Sequence, residues 1–363
     1  MFDPSSYQDI YLIASTILTI YAIIISSWYG EKSWGNKKTT DFVVLLFVFL
    51  LTLFMGLRPI DETFVDTVTY ARLYESYQSI SSANLLGQTK DYFFTYISFL
   101  LSKFLDVQLY FLLLEVLYVV PRVLALKKFF NGYLAIATVL LVTDLFFFAY
   151  GVNTIRSGIA SGFSILGLSF IFSDKREYLK GVVLMVIGAL FHFSVMLYFA
   201  VLVAVFLQRN TRVYLLFWGV SIGASYFLLG QITNWIESLN FLVLSDRISS
   251  YMESASIFDT YNRGFRLDFI LYSTPPILMG VYFKEVKRMT NNTYSALLNF
   301  YILTNALWIL IINASYSDRF AYLSWCLYSL VMYYPVHKFS KGNERFLLTT
   351  LALTLNLTLL YVL

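Results

Sequence analysis

The sequence predicts an all-α polytopic integral membrane protein of about twelve transmembrane helices. Three observations carry this reading. Hydrophobic residues make up 58% of the 363 and charged residues only 13%, with mean hydropathy +0.68. That composition is foreign to a soluble domain of this size. Apolar stretches of roughly 16–20 residues recur along the whole length, which is the spacing of membrane spans. Most Lys and Arg fall in alternate loops, as the positive-inside bias requires.

Spans are expected near 7–28, 41–57, 107–126, 133–150, 157–172, 179–191, 194–207, 213–229, 268–283, 295–312, 320–334 and 346–363. The opening MFDPSSYQDI is acidic and lacks a basic n-region and a small-residue cleavage site. The first apolar segment therefore reads as a retained span. Segment 91–106, DYFFTYISFLLSKFLD, is apolar but carries Lys103 and Asp106. It reads as an interfacial or re-entrant helix. Counting it as a full span would put Lys127 and Lys128 outside and reverse the charge logic downstream.

One side then collects Lys32, Lys37 and Lys38; Lys127 and Lys128; Lys175, Arg176 and Lys180; Arg209 and Arg212; Lys284, Lys287 and Arg288; and Lys338, Lys341 and Arg345. This side is assigned to the cytoplasm, and both termini to the outside. Two outer loops are long, 58–106 and 230–267, and the other connectors are short. Residues 1–363 thus read as a single transmembrane domain. Cys326, the single cysteine, allows no intrachain disulfide.

Against the bias, Arg58, Arg72, Arg156, Arg247, Arg263, Arg266 and Arg319 fall on the outer face, with Lys90 and Lys103. Cations placed there need a reason, and a phosphate-bearing substrate supplies one. In MGLRPIDETFVDTVTYARLYESY, Arg58 ends a span, and Asp66, Tyr70 and Tyr74 share one helical face. A carboxylate with aromatic neighbours can hold a sugar or take a proton from an attacking hydroxyl; a solvated amphipathic helix would look the same. In YGVNTIRSG, Asn153 and Arg156 lie three apart at a helix start, a ready anion site, or a snorkelling Arg at the interface. In ALFHFSVML, His192 sits at an outer turn with Ser194 two residues on. It can act as general base or phosphate ligand, or bond a backbone group. His337 lies among cytoplasmic basic residues. In SYSDRFAYL, Asp318 and Arg319 begin a span and can pair with each other, yet an Arg so near hydrocarbon calls for a firm partner. Arg263 and Arg266, in YNRGFRLDF, resemble it. No P-loop, G-x-G-x-x-G, Cys/His metal cluster or D-x-D pair occurs. No cofactor, no metal and no nucleic acid is expected, and an enzyme of this kind would need an already activated substrate.

These residues resemble a family. RPIDETFVDTVTY (58–70) resembles the R…(G/T)-D-x-x-x-Y signature that follows the second span in the EpsG/Wzy-type polysaccharide polymerases. NTIR (153–156) resembles the family's N-x-x-R-Q motif, HFS (192–194) its H-x-S motif, and SDRF (317–320) the later arginine. Val65 stands where Gly or Thr is usual and Ser157 where Gln is frequent. The order and spacing agree over nearly the full chain. The resemblance implies a GT-C-like helical fold and a metal-independent glycan polymerase of the bacterial inner membrane. Its substrates would be oligosaccharide repeat units on undecaprenyl diphosphate, polymerised on the periplasmic or extracellular face into O-antigen, capsule or exopolysaccharide. On that footing Arg156 and Arg319, with Arg266 as a further candidate, bind diphosphate; Arg58 and Asn153 join the binding set; Asp66 or His192 is the base; and Tyr70 orients the sugar. A chain-length copolymerase is an implied partner.

Three main rivals stand beside a fourth, a membrane O-acyltransferase, whose His is expected deeper in the membrane or with an acyl-donor channel. An O-antigen ligase usually has a very large late outer loop, whereas 230–267 is moderate. A lipid-linked oligosaccharide flippase should line a central path with charge, whereas mid-span charges are few: Glu115, Arg122 and Asp144. A scaffold has no need of repeated outer arginines near Asp and His.

Overall fold

The computed structural model describes residues 2–28, 37–80, 91–130, 134–173, 175–228, 231, 264–314 and 317–362. Lys32, Lys90, Arg247, Arg263 and most of the expected 230–267 loop lie outside the described residues. Those described are helical, with no strand among them. The helices are α1 (Tyr7–Trp28), α2 (Lys37–Gly56), α3 (Val65–Ser79), α4 (Tyr92–Leu101), α5 (Val107–Phe129), α6 (Leu134–Val142), α7 (Phe147–Val152), α8 (Ile155–Phe172), α9 (Tyr178–Phe191), α10 (Leu197–Leu207), α11 (Thr211–Phe227), α12 (Leu267–Val281), α13 (Asn292–Leu310), α14 (Asp318–Trp325), α15 (Tyr328–Phe339) and α16 (Gly342–Val362).

Among them, 6 stretches are long and apolar enough to cross a membrane: Pro4–Ser27, Lys38–Gly56, Val107–Phe129, Ile155–Phe172, Asn292–Leu310 and Gly342–Val362. The exposed faces agree. On α1, Ile13, Ile17, Ile20 and Ile24 are exposed at helical spacing while Tyr11, Leu18, Ala22 and Ile25 are buried. In water such a stripe would be costly, but against lipid it is ordinary. The protein is a membrane protein, and its described residues form helices and the turns between them.

Some expected spans are broken. The 133–150 stretch divides into α6 and α7, because Thr143 and Asp144 offer the backbone competing bonds. Thr143 Oγ1 donates to the Val139 carbonyl at 2.9 Å, and Asp144 Oδ1 accepts from Phe146 N–H at 3.2 Å. Loose backbone at membrane depth must find partners inside the protein, and here it does. Tyr11 Oη donates to the Val142 carbonyl, Asn356 Nδ2 to Leu140 O at 2.9 Å, and Tyr118 Oη to Phe147 O at 2.8 Å. At its other end α6 is capped by Asp41, which accepts from Ala135 N–H at 2.9 Å. The 320–334 stretch likewise divides into α14 and α15, and the 194–207 stretch opens with a 3-10 turn, Phe193–Met196. α4 has ten residues, a rise of about 15 Å. That is half of a ~30 Å hydrocarbon core, so α4 does not cross it.

The chain forms two compact units, Met1–Leu197 with Tyr333–Leu363, and Tyr198–Met332. In the first, α8 packs on α9 and α5, α5 on α2, and α1 on α16. Small residues set the α8–α9 distance. A Cβ on Gly167 would stand 2.6 Å from the Gly181 carbonyl, and one on Gly181 would stand 2.7 Å from the Gly167 carbonyl. In the second unit α11 packs on α13, and α13 on α14. Polar side chains tie it: Trp218 Nε1 donates to Asn305 Oδ1 at 2.8 Å, Asn305 Nδ2 to Ser324 Oγ at 3.0 Å, and Trp325 Nε1 to Ser273 Oγ at 2.7 Å. Arg212 forms a two-pronged pair with Glu285 at 3.2 and 2.7 Å.

Candidate functional site

The site is built by three segments of the first unit converging on one carboxylate. α3 puts Tyr70, Tyr74 and Tyr77 on one buried face, with Asp66 half-buried in its first turn, where the helix dipole favours an acid. That face is fixed by aromatic packing. Tyr74 stacks on Tyr110 at 4.0 Å and donates to Leu105 O at 3.0 Å, and burial pushes its hydroxyl up to about 12. Tyr70 leans on Phe94 of α4 at 5.7 Å. Lys103 donates to the carbonyls of Tyr77, at 2.8 Å, and Gln78, at 2.9 Å, closing the last turn of α3.

Asp91 immediately precedes α4 and is 3% exposed. Its Oδ2 accepts from Arg156 Nη1 at 3.0 Å and from His192 Nδ1 at 3.2 Å, and its Oδ1 accepts from Phe193 N–H at 3.3 Å. Arg156, in the first turn of α8, also donates through Nε to Tyr70 Oη at 3.2 Å. Its guanidinium lies 5.5 Å and 5.6 Å from the centroids of Tyr70 and Phe94, within cation–π range. Its side chain is 38% exposed, against 4% for Asp91 and 12% for His192. Asp66 is among the charges that bear on Arg156. The Tyr77 hydroxyl is raised by burial and drawn back by its Thr95 bond and the Arg156 charge.

The structure thus brings Arg156, Tyr70 and His192 together, with Asp66 within electrostatic reach. Asn153, at the end of α7, and Ser194, in the turn after His192, are near in sequence. Asn153 Oδ1 and Ser194 Oγ are buried without a hydrogen-bond partner. Sequence reasoning missed Asp91, the residue at the centre. The available signal was a lone acid directly before the apolar run YFFTYISFLL.

Arg58, expected among the ligand-binding arginines, is engaged within the fold. It is 0% exposed. Nε donates to Thr67 Oγ1 at 3.0 Å, Nη1 to Met55 O at 2.8 Å and Nη2 to Val152 O at 2.8 Å. Its plane faces Phe111 at 4.8 Å. Burial lowers its pKa to about 10, with Glu115 acting the other way. Arg58 ties the end of α2 to α3 and to the end of α7, and reaches no surface.

Arg266 and Arg319 belong to the second unit. Arg266 pairs with Asp268, with contacts of 3.0 and 2.6 Å, and lies 3.8 Å over Phe269. Arg319 is half-buried in the first turn of α14 beside Asp318. Among the described residues no group of three or more His, Cys, Asp or Glu is arranged to hold a metal ion.

Chemically, the first-unit cluster offers a cation held by replaceable side chains next to an imidazole oriented by a carboxylate. The model of the EpsG family matches residues 41–363. No curated protein and no solved structure matches the chain.

Proposed function

The chain belongs to the EpsG family, and from that premise we propose that it polymerises a lipid-linked glycan at the outer face of the inner membrane. Membership itself implies a polysaccharide-polymerase-like role of the glycosyltransferase type. The finer reading is that a growing chain on undecaprenyl diphosphate is transferred to the non-reducing end of a new lipid-linked repeat unit, within a GT-C-like fold of about twelve spans.

The observation that carries this reading is the Arg156–Asp91–His192 arrangement with Tyr70 on its edge. A glycosyl diphosphate already has a good leaving group. The task is to bind its charge and to remove one proton from the acceptor. Arg156 is assigned to the diphosphate. Its partners are side chains that can exchange for phosphate oxygens, and its side chain is partly open. His192 is the better base of the two candidates. The contact of Nδ1 with Asp91 fixes the proton on Nδ1 and places the lone pair on Nε2. The acceptor O–H proton passes to Nε2. The new C1–O bond forms as the bond from C1 to the diphosphate oxygen breaks, its electron pair leaving with the diphosphate. Asp66 is assigned to a sugar hydroxyl, and Tyr70 to orienting both the sugar and Arg156. The orphaned oxygens of Asn153 and Ser194 suit sugar hydroxyls, because leaving each unmet costs roughly 1–3 kcal/mol. Arg58 is reassigned as a positioning residue. Arg266 and Arg319 stay proposed anion ligands of the second unit, with Asp268 to be displaced from Arg266 on binding.

The test uses purified protein and a short-chain lipid-linked repeat unit without added nucleotide or metal. A ladder of polymer that vanishes in Arg156→Ala supports the proposal. Wild-type ladder length in that variant sinks it. No ladder, but movement of labelled lipid between vesicle leaflets, would identify a flippase instead.

A further inference from the structure

We infer that Asp91 is a shared counter-ion that exchanges Arg156 for the substrate diphosphate, so that donor binding switches on His192. The inference rests on the polymerase reading for the identity of the base step, and on geometry alone for the exchange at Arg156. One oxygen, Asp91 Oδ2, accepts from both Arg156 at 3.0 Å and His192 at 3.2 Å. The two cannot be served equally by one carboxylate if either acquires a stronger partner. A diphosphate is such a partner for Arg156. It brings more negative charge and a better fit to the guanidinium fork than a single shared oxygen.

The exchange has a direction. With Arg156 on Asp91, a positive charge sits beside the carboxylate that supports His192, and it disfavours the imidazolium. Once diphosphate engages Arg156, that positive charge is offset, and the Asp91 charge acts on His192 without the opposing guanidinium. The imidazole becomes a stronger base at the moment a donor is present. The charged and titratable groups around this cluster include Asp91 before α4, Arg156 on α8, and Asp66, Tyr70 and Tyr77 on α3, which bear on Arg156, with Tyr110 of α5 bearing on Tyr70 and Tyr77. Two of these, Asp91 and Arg156, change their pairing on donor binding. Without a donor the base stays weak, which limits idle proton abstraction from water. Asp91 is in this account a positioning residue that acts through both neighbours.

A merely structural Asp91 would lose binding and rate together on substitution. The counter-ion splits them. Asp91→Asn removes the charge that competes for Arg156 while keeping an acceptor oxygen. It should bind farnesyl diphosphate, a short-chain stand-in, about tenfold more tightly by titration calorimetry. The same variant should elongate roughly 10²-fold more slowly, because His192 has lost its supporting charge. Asp91→Glu should retain part of the rate. In the wild type, the acid limb of kcat should lie at higher pH than that of kcat/KM, since kcat reports the donor-bound state. Equal or weaker diphosphate binding by folded Asp91→Asn overturns the inference. If that variant is not recovered folded, the wild-type profiles decide, and coincident acid limbs overturn it. Tighter binding by Asp91→Asn in a protein that makes no polymer would leave the exchange standing and remove the polymerase reading. Polymer made with unchanged diphosphate binding in the variant would do the reverse.

Discussion

Arg58 and Arg122 stand against Arg156, although all three bear on one segment of chain. Arg58, 0% exposed, gives its Nη groups to the backbone carbonyls of Met55 and Val152. Arg122, 2% exposed, gives its own to the Tyr118 and Gly158 carbonyls and to Ser161 Oγ. Arg156 lies between Val152 and Gly158 and donates to side chains, Asp91 and Tyr70. A guanidinium bonded to carbonyls of the fold cannot change partner without moving backbone. One bonded to side chains can trade them for phosphate. The two buried arginines therefore fix the α7–α8 turn, and the third uses it.

The largest effect should come from Arg156→Ala. Polymer should fall by at least about 10³-fold, while the protein stays in the membrane and melts in detergent near the wild-type temperature. Gel ladders and thermal unfolding of the same preparation check this. A large loss of thermal stability would place Arg156 with the buried pair and break the comparison. Arg58→Ala should do the opposite. It takes one donor from the Met55 carbonyl and one from the Val152 carbonyl, which keeps Thr67, and leaves Glu115 with only Arg122 of its two nearby charges, a cost of about 1–3 kcal/mol. Membrane accumulation should drop, and whatever folds should keep its affinity for farnesyl diphosphate. An unchanged melting temperature would return Arg58 to the ligand-binding set.

This contrast also marks how far the sequence could be read. Membrane class and helical content follow from local composition. The motif positions Tyr70, Arg156 and His192 follow from residue type and order, and the fold does gather them. Which arginine is spent on structure does not follow. The Val152 carbonyl that accepts from Arg58 is 94 residues away, and outer-face charge patterning treats Arg58 and Arg156 alike. Asp91 is hidden for the same reason, since its partners lie 65 and 101 residues on. The break between α6 and α7 was legible in principle, because Thr143 and Asp144 compete with the helix locally. Apolar flanks outweigh them when the segment is judged by hydropathy alone.

A third test approaches α8 from its other side. Gly181→Ala places a methyl 2.7 Å from the Gly167 carbonyl. Overpacking of this kind costs about 1–3 kcal/mol, with α8 pushed away from α9. If the α7–α8 turn is fixed by Arg58 and Arg122, stability should fall while diphosphate affinity changes less than about threefold. A matching loss of affinity would mean that α9 also sets the position of Arg156.

The smallest effect, and the sharpest, belongs to Tyr70→Phe. The ring still packs on Phe94 and still faces the Arg156 guanidinium, so stability should hold. The acceptor for Arg156 Nε, now at 3.2 Å, is removed. A lost hydrogen bond to a charged group is worth roughly 1.5–3 kcal/mol when buried and less beside water. If Tyr70 only aims Arg156, the loss should appear as a rise of about fivefold to tenfold in KM for the lipid-linked donor, with kcat nearly kept. If Tyr70 also touches the sugar in the transition state, kcat falls with it. The split between the two constants therefore tells whether the side chains around Arg156 are aiming devices or part of the chemistry.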